Sequence, residues 1–590
     1  MFLPTTRQEL DELGWDKLDV ILISGDTYID SPYIGMAVIG KVLQNAGYRV
    51  GIIAQPDVES DADITRLGEP RLFWGITSGN VDSMVANYTA SKKRRRHDDF
   101  TPGGINDRRP DRSLIVYTNL VRRYFKNTKP IILGGIEASL RRIAHYDYWD
   151  DSVRRSVLFD SKADLIVYGM GERTVLELAR KLAEGVPVQS VRGTCYIATT
   201  PPQDYLQLPS YNDVKTDPDQ LLRMFRLFYN NSDPLTAKGL VQLYDGRYLV
   251  QNPPALYLTE NELSAVHDFN YERDVHPYYK NSGPVRALDT IRFSINTHRG
   301  CYGECNFCSI AVHQGRTIRS RNEASILAEA RALTKLPDFK GYILDLGGPT
   351  ANMYGIECQS KLIKGSCPGK RCLHPEVCNN LKVSHARQIG LLKKIRRIPG
   401  IKKVFVASGI RYDLILHDRQ CGPAYLDEIV KHHVSGQMKI APEHSEEKIL
   451  TLMGKPGKKK LRDFKDLFDK LNKKAGKKQF LTYYLIAAHP GCDRNDMLKL
   501  KKFASRELQL RPEQVQIFTP LPSTYSALMY YTGKNPFTGE KLFVEKDLHR
   551  KEEQKRLVVE GKSNKPNPSI RRGRKSSMTH QKRSKAKTLK

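Results

Sequence analysis

The stretch that decides the fold is IRFSINTHRGCYGECNFC, residues 291–308. Its opening IRFSINT (291–297) reads as a short strand. Three cysteines, Cys301, Cys305 and Cys308, then crowd into one loop with the spacing C-x3-C-x2-C. A fully ligated cubane cluster takes its irons on four cysteines. Three close thiolates would leave one iron without a protein ligand, free for an exogenous chelator, which is what a cluster acting on a substrate requires. Gly300 and Gly303 let the backbone turn tightly around a bulky inorganic core. The same residues read differently as a zinc site borrowing a remote fourth ligand, although zinc loops more often pair two cysteines with a second pair elsewhere.

Working outward, strand patterns recur at 341–348, 402–409, 436–442, 480–489 and 513–520, with helical patterns between them such as 323–336, 424–434 and 496–508. This strand–helix repetition suits a curved or partly closed parallel barrel, with its chemistry on loops at the C-terminal strand ends. Upstream, the runs at 18–25, 48–55, 71–79, 129–135 and 163–171 alternate with helical patterns at 31–47, 113–127 and 172–184. That is a βαβ rhythm, which predicts a parallel sheet flanked by helices, with ligands at the carboxyl ends of strands. Gly25-Asp26, Gly134-Gly135 and Gly169-Met170-Gly171 fall at such ends, where glycines also serve as ordinary turn residues. The expected division is 1–200 for the first α/β domain and 201–285 for a connecting region. A barrel over 286–525 follows, with a cysteine-rich insertion at 355–380, then an extension over 526–560 and a disordered basic tail over 561–590.

The ten cysteines are unevenly spread, seven of them lying between 301 and 378. Such a cluster in a large chain points to metal or redox chemistry rather than to disulfides. No stretch approaches the ~18–20 apolar residues of a membrane span. The N-terminus lacks a secretory pattern, so the expected location is cytoplasmic, with no membrane partner. The net charge of +30 has +11 in residues 561–590, which hold seven Lys, four Arg and no acid. Such a tail reads as a solvated extension, or as a docking arm for RNA or the ribosome through phosphate contacts. The run Lys92-Lys93-Arg94-Arg95-Arg96 invites the same two readings.

C-x3-C-x2-C after a first strand resembles the signature of the radical S-adenosylmethionine (SAM) superfamily, and Phe307 matches the aromatic residue commonly found before its third cysteine. The segments TPGGINDRRPDRSLIVY, ILGGIEASLRRIAHYDYWDD, LDLGGPTANMYG and QMKIAPEHSEEKILTLMGKP resemble the YgiQ-like family, whose substrate is unassigned, and the likeness covers roughly 1–545. The resemblance implies an α/β fold: an N-terminal Rossmann-like, cobalamin-binding-like parallel sheet domain, then a radical SAM partial (β/α)6 barrel. It implies one [4Fe–4S] cluster on Cys301, Cys305 and Cys308 with exchangeable SAM as the remaining ligand. One electron from the reduced cluster cleaves SAM to methionine and a 5′-deoxyadenosyl radical, which abstracts hydrogen from a substrate. A reductant such as flavodoxin or ferredoxin is the implied partner. Gly347, Gly348 and Thr350 fall where the superfamily has a GGE-like motif near the SAM amine, with Pro349 in place of the acid. Ser408 and Arg411 are further candidate SAM contacts, Arg411 through a bidentate pair with the SAM carboxylate. The alternative function is an RNA- or ribosome-associated iron–sulfur or zinc protein without turnover.

Cys358, Cys367, Cys372 and Cys378 form a second group that suits a second cluster, a zinc ion or no metal at all, with His374 as a substitute ligand. Glu443, His444 and Cys492 lie at later strand ends. The turn Asp26-Thr27-Tyr28-Ile29-Asp30 lacks the histidine expected of a cobalamin lower ligand, so no cofactor is assigned to the first domain.

Overall fold

The computed structural model describes residues 1–510 and 512–559. Within it the apolar runs of the N-terminal part become neighbouring strands: β1 (Val20–Ser24), β2 (Val50–Ala54), β3 (Phe73–Thr77), β4 (Ile131–Gly134) and β5 (Leu165–Val167). β1 pairs in parallel with β2 and β3, and the parallel run continues through β4 to β5. Near-continuous burial of these strands explains their unbroken apolar sequence, since helices cover both faces. Gly35–Asn45 and Glu172–Ala183 lie on one face, and Ser113–Tyr124 on the other.

The sheet does not stop at β5. β6 (Thr194–Ala198) returns antiparallel, and β7 (Leu206–Gln207), β8 (Leu240–Tyr244) and β9 (Arg247–Gln251) extend it to the order β7-β8-β9-β6-β5-β4-β3-β1-β2. The segment expected as a connector thus supplies three strands. Its hairpin turns at Asp245-Gly246, both with positive φ, which is a strong short-range hairpin signal.

The second half forms a curved parallel sheet. β10 (Ser294–Asn296) pairs with the Asp345–Gly347 part of β11, whose Tyr342–Ile343 part pairs with β12 (Lys403–Val404). A bridge from Ile410 to Ile440 leads to β13 (Gln437–Glu443), which continues to β14 (Phe480–Ala487) and β15 (Val515–Ile517). This is the six-unit, partly closed barrel that the periodicity predicted, open between β15 and β10. Its core includes Ile295, Leu346, Val404, Ile440 and Leu485. β12 is shorter than the run 402–409 suggests. The amides of Ala407 and Ser408 donate to the Asp345 carboxylate at 2.8 and 3.1 Å instead of to a neighbouring strand.

A final helix, Leu548–Val559, packs against β15 and the helix Arg494–Arg506, with Val558 in the barrel's apolar cluster. No helix among the described residues is long and apolar enough to cross a membrane. The basic tail, 561–590, lies outside the described residues. The two sheets meet at the cysteine loop: Arg299 forms a buried ion pair with Glu172, and Ser139 Oγ bridges His313 Nδ1 at 2.9 Å and the Gly169 amide at 3.0 Å.

Candidate functional site

The cysteine trio leaves the C-terminal end of β10 on a turn that only glycine tolerates. Gly300 has φ +80°, and a Cβ there would sit 2.2 Å from the Thr317 carbonyl oxygen. The loop is then anchored along its length. The Cys301 amide donates to the Gly315 carbonyl at 3.3 Å, and Asn306 donates to the carbonyls of Met453 and Leu452 at 2.9 and 2.7 Å. Gly303 faces the sulfurs. A Cβ on it would lie 3.2 Å from Cys301 Sγ, 3.7 Å from Cys305 Sγ and 3.1 Å from an Arg411 nitrogen. Burial pushes the Cys301 thiol up, and Cys308 up to about 12. Both are therefore neutral thiols at neutral pH unless a metal takes their protons.

Sequence reasoning passed over Glu304, which sits inside the trio as an apparent spacer. It is buried, adopts φ +45°, and accepts a hydrogen bond from Tyr229 Oη. Arg316 at 3.5 Å and Lys361 at 3.8 Å complete an ionic clamp around it, while Arg371 donates to its carbonyl at 3.1 Å. No local pattern marks this residue, because its partners come from three distant segments.

The second-strand motif lies beside the trio. Thr350 Oγ1 is 3.4 Å from Cys301 Sγ. Gly348 packs on the His298 ring so closely that a Cβ would approach it to 2.6 Å. His298 was also missed, although it directly precedes Arg299-Gly300-Cys301. Its Nδ1 meets Thr297 Oγ1 at 2.9 Å, and its Nε2 is buried without a hydrogen-bond partner among the described residues. Burial pulls its pKa down to about 4, so the ring is neutral. Ser408 Oγ donates to Asp345, which also takes two backbone amides. Arg411 spends its fork on Asp413, at 2.8 and 2.7 Å, and turns its remaining Nη1 to Cys305 Sγ at 3.8 Å.

Behind Arg411 runs a buried relay. Asn352 brackets the Arg411 backbone at 2.8 and 3.0 Å and meets His385 Nε2 at 3.2 Å, while His385 Nδ1 meets Asp418 at 2.8 Å. Burial alone would raise the Asp418 carboxyl, but the His385 ring and the amides of Cys421 and His385 hold it at about 2. A depressed carboxyl stabilises the fold above its unfolded pKa of about 3.9 and loses that stabilisation as pH falls towards 2. The Asp418→Asn variant should therefore lack about 1–2 kcal/mol of stability at pH 6, allowing for solvent screening, and the difference should shrink below pH 4 and close near pH 2. Denaturant melts across that range measure it.

Cys358, Cys367, Cys372 and Cys378 line one small cavity, separate from the trio but sharing an apolar cluster with Cys301 through Tyr302. Cys492 Sγ lies 3.6 Å from His444 Nε2, both buried. Burial holds His444 at about 3 and raises the Cys492 thiol, so the pair is uncharged. Glu443 ends β13 with φ +69° beside Lys455 at 3.7 Å. Asp26 is buried against Arg109, and burial raises it to about 6. The run at 92–96 is partly tied down: Lys92 donates to the Trp149 carbonyl, Arg94 pairs with Asp111, and Arg95 donates to the Val85 and Tyr88 carbonyls.

Among the described residues no three His, Cys, Asp or Glu side chains converge on a single-ion position. A Cβ at Gly303 would crowd two of the sulfurs and Arg411 Nη1, so glycine keeps the sulfur side of the loop clear, as three thiolates on a cubane core would require.

Comparisons with known proteins bear on this geometry. A model described as Radical SAM N-terminal matches residues 2–294, and one described as Radical SAM superfamily matches residues 295–504. A UPF0313 protein of Fusobacterium nucleatum subsp. nucleatum is 59% identical over 95% of this chain and 99% of its own length. UPF0313 proteins of Thermotoga neapolitana and Methanocella arvoryzae are each 49% identical, over 95% and 92% of this chain and 98% and 91% of theirs. Among solved structures, the radical SAM methyltransferase TsrM from Kitasatospora setae, with cobalamin and a [4Fe–4S] cluster bound, gives TM-score 0.49 at 14% identity over 87% of this chain and 74% of that one. The cobalamin-dependent SAM radical enzyme OxsB with aqua-cobalamin gives 0.48 at 12%, over 90% and 58%. The cofactors that go with the superfamily are a [4Fe–4S] cluster and SAM. With near full-length identity to three such relatives and the superfamily's model over its barrel, the chain belongs to the UPF0313, or YgiQ-like, family of radical SAM proteins.

Proposed function

We propose that this protein is a cytoplasmic radical SAM enzyme whose cluster is held by Cys301, Cys305 and Cys308. The observation that carries the reading is the trio itself, set in one anchored loop at the end of the first barrel strand, with Gly303 leaving the Cys301 and Cys305 sulfurs uncrowded. These three thiolates would hold a [4Fe–4S] cluster, which when bound and reduced would supply the electron for reductive cleavage of SAM. The chain's own residues bind and orient. Gly347 and Gly348 end β11 in close packing against Ala351, Ser408 and the His298 ring and so bring the backbone after the strand beside the trio, where it would take the SAM amino acid, and Thr350 Oγ1 would accept from its ammonium in place of the missing acid. His298 Nε2, lacking a protein partner, is a further contact for that end of SAM. Ser408 shapes the wall opposite through Asp345. Arg411, immobilised by Asp413, offers Nη1 to the cluster edge and to the SAM carboxylate.

The proposed division places SAM chemistry in 286–525 and substrate contacts at its boundary with 1–200. A cleft there holds about 790 Å³ of empty space and is walled by Arg142, Tyr168, Met170, His313 and Gln314, next to the Gly315 carbonyl that receives the Cys301 amide. A flavodoxin or ferredoxin is the proposed reductant. The test is anaerobic: reduced with dithionite and given SAM, the protein should release 5′-deoxyadenosine and methionine in equal amounts. SAM left intact by an iron-loaded, reduced sample would overturn the reading.

A further inference from the structure

The second cysteine group is built as a site, and its features select one kind of centre. Cys358, Cys367, Cys372 and Cys378 all line a cavity with about 460 Å³ of empty space, part of it open to solvent. The loop carrying them is folded deliberately. The Cys378 amide donates to the Cys372 carbonyl at 2.8 Å, and the Cys358 amide donates to Tyr302 Oη at 3.1 Å. Gly365, at φ +80°, lies where a Cβ would come within 2.6 Å of Asp233, and Ser366 Oγ donates to the same carboxylate at 2.8 Å. All four cysteines are free thiols, and only Cys367 is exposed.

Three cations, Lys361, Lys370 and Arg371, share the cavity wall with them. Lys361 is buried and points Nζ at Cys372 Sγ from 3.7 Å. Arg371 Nη2 is buried with no hydrogen-bond partner among the described residues, as is Nδ1 of nearby His374. Cationic walls and spare donors suit an anionic occupant with sulfur acceptors, because net charge and hydrogen bonds to sulfur tune iron–sulfur centres. A zinc ion on the same four thiolates would draw them onto one point at about 2.3 Å from each sulfur, and a metal assay separates the two centres.

We infer that Cys358, Cys367, Cys372 and Cys378 hold a second, fully cysteine-ligated [4Fe–4S] cluster, on the far side of Tyr302 from the first. The four thiols give up their protons on binding, and the buried Lys361 and neighbouring Arg371 offset the charge. With every iron bound by protein, this centre has no position for SAM.

The test uses full-length protein prepared and reconstituted without oxygen, with iron, sulfide and zinc assayed per folded chain. The wild type should hold about eight irons and eight sulfides, and the C301A/C305A/C308A triple variant about half of each. The triple variant's reduced EPR signal should be unmoved by SAM. Conversely, C358A/C367A/C372A/C378A should keep about half the iron together with a SAM-perturbed signal. Should that variant fail to fold, Cys367→Ala removes only the exposed ligand, and its iron should fall towards half or be stripped faster by a chelator. An iron-free triple variant, one zinc per chain in place of iron, or wild type saturating at about four irons would each overturn the inference. None of these readouts depends on turnover, so a failure of SAM cleavage would be recognised separately.

Discussion

Cys305→Ala should reduce 5′-deoxyadenosine release at least ~100-fold, since even outer-shell substitutions at metal sites cost 10–100-fold. Two thiolates cannot fix a cubane in one orientation, and the loop supplies no replacement donor within reach. Arg411 Nη1, 3.8 Å away, is a cation, and Glu304 is already committed to Tyr229, Arg316 and Lys361. The fold should survive. Cys305 is half-buried, and deleting one sulfur costs about 1 kcal/mol. Circular dichroism and the melting temperature should therefore stay near wild type while the reaction disappears. Cys305→Ser, which keeps the shape but offers a hard oxygen, should behave like alanine. Undiminished SAM cleavage in either variant would remove Cys305 from the coordination sphere.

The second large effect falls on stability. Glu304→Ala leaves Arg316 and Lys361 buried without their counter-charge, and breaking a buried pair in this way costs about 3–5 kcal/mol. The loss should appear as a lower melting temperature and as faster iron release, because Glu304 lies between two of the trio. Glu304→Gln keeps an acceptor for Tyr229 but not the charge, so it should fall between wild type and alanine. Glu304→Gly separates backbone from side chain. It relieves the left-handed φ of +45° yet should still lose the clamp. A glycine variant as stable as wild type would show that backbone strain, not charge, governs the site.

The barrel was legible because its strand runs recur in step with helices that have their own period, although β12 and others stop short of their runs. The trio was legible because its spacing is local. What escaped was long-range. Glu304 looked like filler, since Tyr229, Arg316 and Lys361 reach it from both sides in sequence. His298 looked like the end of a strand, and only the approach of Gly348 isolates its Nε2. The absence of an acid at Pro349 was visible. That Asp345 caps the shortened β12 was not, because which amides a carboxylate takes is decided by how two strands end. The Asp245-Gly246 hairpin was written in the sequence but obscured by the proline- and tyrosine-rich text around it.

The helix Leu548–Val559 has a consequence for the order of events during synthesis. All six strands of the barrel are made by residue 517, but the apolar side of β15 on which Val558 packs stays uncovered until the chain has been extended by some thirty further residues. For that interval the nascent molecule carries a bare greasy patch, adhesive toward other unfinished copies. Arrival of this last helix is therefore the step that makes the protein self-contained.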